Sequence, residues 1–295
     1  MTGGCKMGFA DVLGSGKFVV TAEVSPPRGT DISGTLAGAR LLQGLVDAVN
    51  VTDNQRSMMR MSPIVLCHKL GEMGFETIMH MTCRDRNRLA LQSDLLAAHA
   101  LGVHNILAMS GDYPTMGDMP STKPVFDLDS VQLLQLIEKM NNGSDFKDKP
   151  LDSPTSLCAG AVANPGARPL GPQLFKLNKK VSAKARFIQT QAVFDAAVFN
   201  EFADAARHTG IPIIAGIIPL RSAQNARFMN EKIPGVNIPD EAISRMEAAT
   251  DPALEGMKIA AETIADIRTN CQGIHIMPIG GHGNTRRLLE MCGLD

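Results

Sequence analysis

A carboxylate ends an apolar, β-branched stretch near the N-terminus, in the sequence VTAEVSPPRG of residues 20–29. A charge beside a buried strand costs free energy unless it is paired, solvated or used in chemistry. Glu23 is therefore a candidate functional residue, and the two prolines that follow it restrict the backbone that carries it. A structural ion pair at the edge of the sheet is the competing interpretation of Glu23 taken alone.

Polar residues end other apolar stretches in the same way. They are Thr52, Asp53 and Asn54; His80 and Thr82; Ser110, Gly111 and Asp112; Asn164 and Pro165; Gln189 and Gln191; and Gly280, Gly281 and His282. Each also has a structural explanation, such as a turn for Asp112, a core histidine for His80 and a satisfied interior amide for Gln191. Lys180, in the predicted helix 174–185, is a further candidate whose competing explanation is a solvated helix face. Convergence of all of them on one face is hard to explain by packing alone.

The order of elements along the chain predicts such a convergence. Strands are predicted at 18–23, 48–52, 76–82, 105–111, 157–163, 187–191, 211–219 and 273–280. Helices are predicted at 32–45 with Asp31 as N-cap, then at 62–73, 86–102, 129–140, 174–185 and 196–210, with two or three more up to about 269 and a short last one. This alternation indicates a parallel sheet, and eight units in 295 residues fit an α/β fold of one domain, a (β/α)₈ TIM barrel over residues 1–295. A doubly wound sheet is the alternative, but SPPRG after the first strand is not its glycine-rich GxGxxG turn.

Composition limits the classes of partner. A net charge of -1, no Trp and one Tyr argue against nucleic-acid binding. No run of 18 apolar residues predicts a membrane span, and the first residues lack a signal peptide, which predicts a cytoplasmic protein. Six scattered cysteines and seven histidines without HxH or HxxxH spacing predict free thiols and no metal site.

Six stretches together resemble the methylenetetrahydrofolate reductase family. They are AEVSPPR, MHMTCRDRNRLALQSDLLAAHALGVHNILAMSGD, AVANPGARPL, KLNKKVSAKARFIQTQAVFD, AGIIPLRSAQNARFMNEKIPGVNIPDE and GIHIMPIG, in one order along nearly the whole chain. The resemblance implies a (β/α)₈ barrel that binds a flavin non-covalently and reduces 5,10-methylenetetrahydrofolate to 5-methyltetrahydrofolate by hydride transfer. It also implies NADH or NADPH as the electron donor in many members, and a homo-oligomer.

The resemblance assigns roles to individual positions. Glu23 matches the general acid that protonates N10 of the folate, and a poorly solvated site would raise its pKa. Asp112 matches an aspartate beside both pterin and flavin, and Gln191 matches a glutamine that binds the substrate. The positions matched to flavin contacts are Thr52, His80, Ser110, Gly111, Asp112, Phe126, Asn164 and Lys180.

Some of these positions depart from the family pattern. Ser110 stands where some bacterial relatives have arginine, Phe126 where they have tyrosine, and Asn164 where they have histidine. Gly160 and Gln173 stand at positions of a tyrosine and an aspartate around the adenosine half of FAD. FAD is the expected cofactor, with FMN as the alternative. The GGHGN run at 280–284 is either a phosphate cradle of backbone amides or a plain glycine turn.

Two other functions fit the sequence. The first is a folate-reducing subunit that receives electrons from a partner protein instead of directly from NADH or NADPH. The second is a catalytically silent flavin- or folate-binding scaffold, against which the joint presence of Glu23, Asp112 and Gln191 argues.

Overall fold

Eight parallel strands form a closed barrel in the computed structural model, which describes residues 8–233, 236–278 and 281–294. Each strand pairs with the next, and the last pairs with the first. The strands are β1 (Val19–Val24), β2 (Ala48–Val51), β3 (Thr77–Thr82), β4 (Asn105–Met109), β5 (Cys158–Ala163), β6 (Phe187–Ala192), β7 (Ile213–Ile217) and β8 (Gly273–Ile276). The predicted (β/α)₈ barrel is confirmed.

Helices accompany the strands, with the first helix before β1 and the others after the strands on the outside of the barrel. They are α1 (Phe9–Gly14), α2 (Ser33–Arg40), α3 (Pro63–Glu72), α4 (Arg88–Ala100), α5 (Ser130–Asn141), α6 (Leu170–Ser182), α7 (Ala196–Ala206), α8 (Ala223–Lys232), α9 (Asp240–Ala248), α10 (Pro252–Ile267) and α11 (Thr285–Met291). The sequence patterns missed α1, ran the helix of α2 too far and started α6 four residues late. None of the helices in the described part of the chain combines the length and apolar character needed to cross a bilayer.

Side-chain caps fix where several helices begin. Asn87 accepts hydrogen bonds from the amides of Leu89 and Ala90 at the start of α4, and Asp129 forms a capping box with Gln132 on α5. The predicted cap of α2 was wrong by one position, because Ile32 is the N-cap residue. Asp31 instead accepts a hydrogen bond of 2.9 Å from the Ser33 amide, which is a local turn before the helix.

Apolar side chains fill the amino-terminal half of the barrel interior. Phe187 lies there with one side chain from each of several other strands, and Phe9 of α1 packs edge-to-face against its ring at 5.3 Å between centroids. A Cβ atom on Gly160 would lie 2.3 Å from the Phe187 ring, so only glycine leaves room for this phenylalanine. A cofactor or substrate must therefore enter from the carboxyl ends of the strands.

The five described cysteines, Cys67, Cys83, Cys158, Cys271 and Cys292, are free thiols, as the scattered spacing predicts. Burial raises the pKa of Cys158, Cys271 and Cys292 to about 11. These thiols therefore stay protonated at neutral pH and are poor nucleophiles. Among the described residues, no group of three His, Cys, Asp or Glu side chains is arranged around a common metal position.

Candidate active site

An open cavity of about 1000 Å³ lies at the carboxyl ends of the strands. Eight of the predicted site residues line it, from five strands or their following loops and from α6: Glu23, Thr52, His80, Ser110, Gly111, Asp112, Lys180 and Gln191. Leu107, Val162 and Met277 add apolar surface to the same wall. The structure therefore brings together side chains that lie as far as 168 residues apart in the sequence, as a barrel of parallel strands requires.

Glu23 lies among histidines. Burial alone would raise the pKa of its carboxyl, but interactions with His275, His80 and His282 outweigh burial and lower it below the usual range. The prediction of a raised pKa for Glu23 is therefore wrong for the protein without substrate, because the sequence does not show which side chains surround this carboxyl. Of the three histidines, His275 lowers the pKa of Glu23 the most, although its Nε2 has no hydrogen-bond partner.

His80 belongs to a buried polar network beneath the cavity. Its Nε2 lies 3.0 Å from Asn50 Nδ2, and the same amide group donates to Gln189 Oε1 at 2.7 Å. Burial lowers the pKa of His80 to about 4, so its imidazole is neutral at neutral pH. Since Asn50 Nδ2 can only donate, His80 Nε2 accepts, and the hydrogen lies on Nδ1.

Asp53 stabilises the floor of the cavity. Its Oδ2 accepts hydrogen bonds from the amide and the hydroxyl of Thr82 and from Arg86 Nη1, at 2.9, 2.8 and 2.7 Å. Arg86 also donates to Asp94 at 2.7 Å. The carboxylate is fully engaged, so we assign Asp53 a structural role.

The loop after β4 presents backbone to the cavity. Gly111 has a φ of +95°, and a Cβ there would lie 3.0 Å from Arg84 Cβ and 3.1 Å from Thr82 Cβ. A side chain at this position would meet both a disfavoured backbone conformation and a steric conflict. The glycine allows Ser110 and Asp112 to flank the opening, where both are exposed.

Arg84 joins three loops around that opening. It is 1% exposed and donates to the backbone carbonyls of Asp112 and Asn54, both at 3.2 Å. Its charge is balanced by a bidentate ion pair with Asp85 at 2.8 and 2.6 Å. Arginine is suited to such a buried position because its planar group makes several fixed hydrogen bonds. The sequence analysis did not identify this residue.

Lys180 reaches the cavity from α6. Its Nζ donates to the Val162 carbonyl at 2.6 Å, and burial, with a smaller contribution from Lys176, lowers its pKa to about 8. The ammonium group is therefore mainly charged at neutral pH and is anchored in the wall. Gln191, on the adjoining strand β6, is exposed to the cavity.

Two predicted cofactor contacts are not among the residues that line this cavity. Phe126 does not line the cavity; its ring packs against Tyr113 at 5.5 Å between centroids. Asn164 caps its own turn by accepting a hydrogen bond of 3.0 Å from the Gly166 amide. Gly281 and Gly283 line a second opening beside β8, and Gly280 lies outside the described residues.

Three interior residues were missed because their polar character looked incidental within apolar strands. Thr21, Asn50 and His275 are each completely buried and project into the barrel beneath the cavity. The period-two alternation of a strand would have indicated them, since Thr21 lies two residues before Glu23 on the same face of β1.

Comparison with known proteins identifies the family. The sequence pattern described as methylenetetrahydrofolate reductase matches residues 9–293. The chain belongs to the methylenetetrahydrofolate reductase family. A probable methylenetetrahydrofolate reductase (NADPH) of Caenorhabditis elegans is 27% identical over 242 residues, covering 79% of this chain and 34% of that protein. The 5,10-methylenetetrahydrofolate reductase of Pectobacterium carotovorum is 27% identical over 228 residues, covering 74% of this chain and 71% of that protein.

The methylenetetrahydrofolate reductase prediction is thus confirmed at the level of the family, whose named relatives are oxidoreductases. The chain spans about a third of the nematode relative's length. Among solved structures, an uncharacterized protein from Clostridium thermocellum that binds two copies of 5-methyl-5,6,7,8-tetrahydrofolic acid superimposes with a TM-score of 0.67. It is 12% identical and covers 96% of both chains, which supports the barrel fold.

Proposed function

We propose that this chain reduces 5,10-methylenetetrahydrofolate to 5-methyltetrahydrofolate, with Glu23 as the general acid. The observation that carries the proposal is the convergence of Glu23, Asp112 and Gln191 on one cavity from β1, the β4 loop and β6. Membership of the family supports the same reaction. A further support is the barrel of Clostridium thermocellum, which binds a folate of the product class.

Glu23 supplies the proton that the reaction needs. Opening of the five-membered ring of the folate requires protonation at N10, which leaves an electrophilic iminium at N5. The carboxyl of Glu23 is ionised at neutral pH before substrate enters, because the surrounding histidines lower its pKa. Entry of the pterin excludes water from the cavity, and this added desolvation raises the pKa and favours the protonated acid.

The cavity fits a flavin at its β2 to β5 side. Thr52, His80, Ser110, Gly111 and Lys180 offer hydroxyl, imidazole, backbone and ammonium groups there, a mixture of donors and acceptors that the polar edge of an isoalloxazine requires. A bound flavin would supply the hydride. We propose FAD as the bound form, with FMN as the alternative, and contacts of Phe126 and Asn164 with the flavin remain predictions from the resemblance.

Asp112 and Gln191 hold the substrate in this scheme. Asp112 presents a carboxylate at the mouth of the cavity, where it can accept hydrogen bonds from the amino-pyrimidine edge of a pterin. Gln191 offers both a donor and an acceptor from the facing strand. Together they would orient the ring so that N10 lies within reach of Glu23.

An anaerobic absorbance titration of the purified protein with 5-methyltetrahydrofolate tests the proposal. This runs the reaction backward, so we expect the oxidised-flavin band to bleach as the folate is oxidised. A flavin band that does not respond to the folate contradicts the proposed substrate. A protein that binds neither FAD nor FMN on reconstitution contradicts the proposed cofactor.

The electron donor is tested on the same sample. Reduction of the flavin by NADH or NADPH supports direct transfer from the nicotinamide. Bleaching by the folate without reduction by either nucleotide supports an electron-transfer partner protein. The homo-oligomer and the cytoplasmic location remain predictions from the resemblance and the sequence.

A further inference from the structure

Thr21 and His275 lie in the barrel interior beneath the cavity, and Glu23 lines the cavity itself. Thr21 of β1 and His275 of β8 are register partners across the closing seam of the barrel, and Thr21 Oγ1 lies 2.9 Å from His275 Nδ1. Glu23 is two residues after Thr21, so it projects from the same face of β1. His275 also lowers the pKa of the Glu23 carboxyl.

Burial of these polar groups costs free energy unless their hydrogen bonds are complete. Thr21 and His275 are both 0% exposed, and His275 Nε2 has no hydrogen-bond partner at normal length. A buried polar nitrogen without a partner is energetically unfavourable. Because His275 lowers the pKa of Glu23 and Glu23 shares a face of β1 with Thr21, the Glu23 carboxyl is the candidate partner for this nitrogen.

The Thr21 hydroxyl can form a hydrogen bond with either neutral tautomer of the His275 ring. It lies 2.9 Å from His275 Nδ1 and 3.4 Å from the Ile274 carbonyl. A hydroxyl both accepts and donates, so it can accept from Nδ1–H while donating to Ile274, or donate to a bare Nδ1. In the second state the ring hydrogen lies on Nε2, where it is available for donation to the Glu23 carboxyl.

We propose that His275, oriented by Thr21, is a positioning residue that holds the Glu23 carboxyl and sets the pH range over which it transfers its proton. This inference rests on the proposed function. The other groups that face Glu23 are His80 from β3 and His282 from the segment after β8, and Asp53 acts on His80. Of these, only His275 combines a fixed partner behind the ring with an unpartnered nitrogen in front of it.

The matched variants Thr21→Val and Thr21→Ser test the proposal. Valine keeps the shape of threonine and removes the hydroxyl, whereas serine keeps the hydroxyl. The readout is the rate at which pre-reduced protein is reoxidised by 5,10-methylenetetrahydrofolate, measured across the pH range. Since the protonated acid is the active form, the rate falls as pH rises through the apparent pKa of Glu23. Loss of the His275 orientation leaves burial less opposed, so Thr21→Val is expected to move this fall upward by about one pH unit.

Thr21→Ser is expected to restore the wild-type profile. A Thr21→Val rate that drops equally at every pH overturns the inference, because a merely structural role predicts that result. A fall displaced to lower pH also overturns it, because the proposal predicts a displacement in the opposite direction. A wild-type protein that does not react with the folate overturns the proposed function instead, so the two failures are distinguishable.

A second readout does not depend on activity. Nitrogen-15 spectra of histidine-labelled, flavin-free protein report which ring nitrogens carry hydrogen. Thr21→Val is expected to change the Nδ1 signal of His275, and Glu23→Gln is expected to change its Nε2 signal. Signals of His275 that are unchanged in both variants contradict the proposed contacts.

Discussion

The backbone amide of Arg56 donates a hydrogen bond of 3.0 Å to Asp112 Oδ2. The contact joins the loop after β2 to the loop after β4 across the cavity mouth. Asn54, Arg56 and Ser57 all have positive φ values, of 44°, 55° and 56°, which non-glycine residues adopt at a cost of order 1–3 kcal/mol each. The loop therefore stores strain at the place where it holds the candidate carboxylate.

Asp112→Asn tests the charge of that carboxylate, because an amide oxygen can still accept from Arg56. A negative charge beside the flavin disfavours added electron density, so its removal is expected to raise the flavin reduction potential. We also expect the folate half-reaction to slow by about tenfold. Redox titration and stopped-flow absorbance measure the two effects.

Asp118→Asn is the matched control for Asp112→Asn. Asp118 also accepts a hydrogen bond from an amide of the β2 loop, that of Met59 at 3.2 Å, but it does not line the cavity. An equal shift of the reduction potential in both variants would assign the effect to the loop and contradict a local role of the Asp112 charge.

Glu23→Gln is expected to reduce folate turnover by about a hundredfold or more, because the amide cannot donate a proton to N10. Reduction of the flavin by its electron donor should continue, since that step does not involve N10. The control Glu72→Gln removes an exposed carboxylate that pairs with Lys69 on α3. Normal folate turnover in Glu23→Gln would exclude Glu23 as the general acid.

Lys180→Gln is expected to weaken flavin binding by about tenfold, because it removes a cation from the cavity wall. Its neighbour Lys179 is exposed on α6 and lies over the Phe175 ring at 4.6 Å, so Lys179→Gln is a matched loss of charge outside the site. Fluorescence titration of the flavin-free protein measures both. Equal affinity in the two variants would remove Lys180 from the flavin site.

Gly111→Ala is expected to lower the free energy of unfolding by about 2 kcal/mol, from its positive φ and the close approach to Arg84. Gly71→Ala, in α3 with no atom within 4 Å of the new Cβ, is expected to be neutral or to stabilise by up to about 1 kcal/mol. Urea unfolding compares them. A Gly111→Ala protein as stable as Gly71→Ala would contradict the steric account.

His80 makes stability depend on pH in a defined window. Its pKa is about 4 in the folded protein against an ordinary value of 6.5, so the unfolded chain binds the additional proton between these values. Stability is therefore fully present above about pH 6.5 and decreases as pH falls toward 4, by on the order of 3 kcal/mol.

The variant His80→Gln isolates this contribution. It removes the titrating group, so the difference in unfolding free energy between wild type and variant should change with pH only within that window. Urea unfolding of the flavin-free proteins between pH 4.5 and 7.5 provides the comparison. A constant difference would mean that His80 does not bind a proton on unfolding.

The order of the strands and the barrel fold could be predicted from local sequence patterns, because apolar strands and amphipathic helices each have a characteristic spacing of apolar residues. Boundaries were less predictable: the predicted strand at 273–280 ends at Ile276, since apolar residues continue into the following loop. Helix α1 was missed because its stability comes from Phe9 packing on Phe187, a contact that no local pattern records.

The sequence by itself determined that polar residues follow the strands, and parallel strands in a closed barrel bring their carboxyl ends to one face. Eight of the predicted site residues meet at one cavity for that reason. Tertiary structure decided their electrostatics. Glu23 has a lowered pKa because β8 and β3 bring His275 and His80 beside it, and Phe126 lies outside the cavity because its ring packs against Tyr113. Such neighbours depend on register and distance across the barrel, which the order of residues along one chain does not contain.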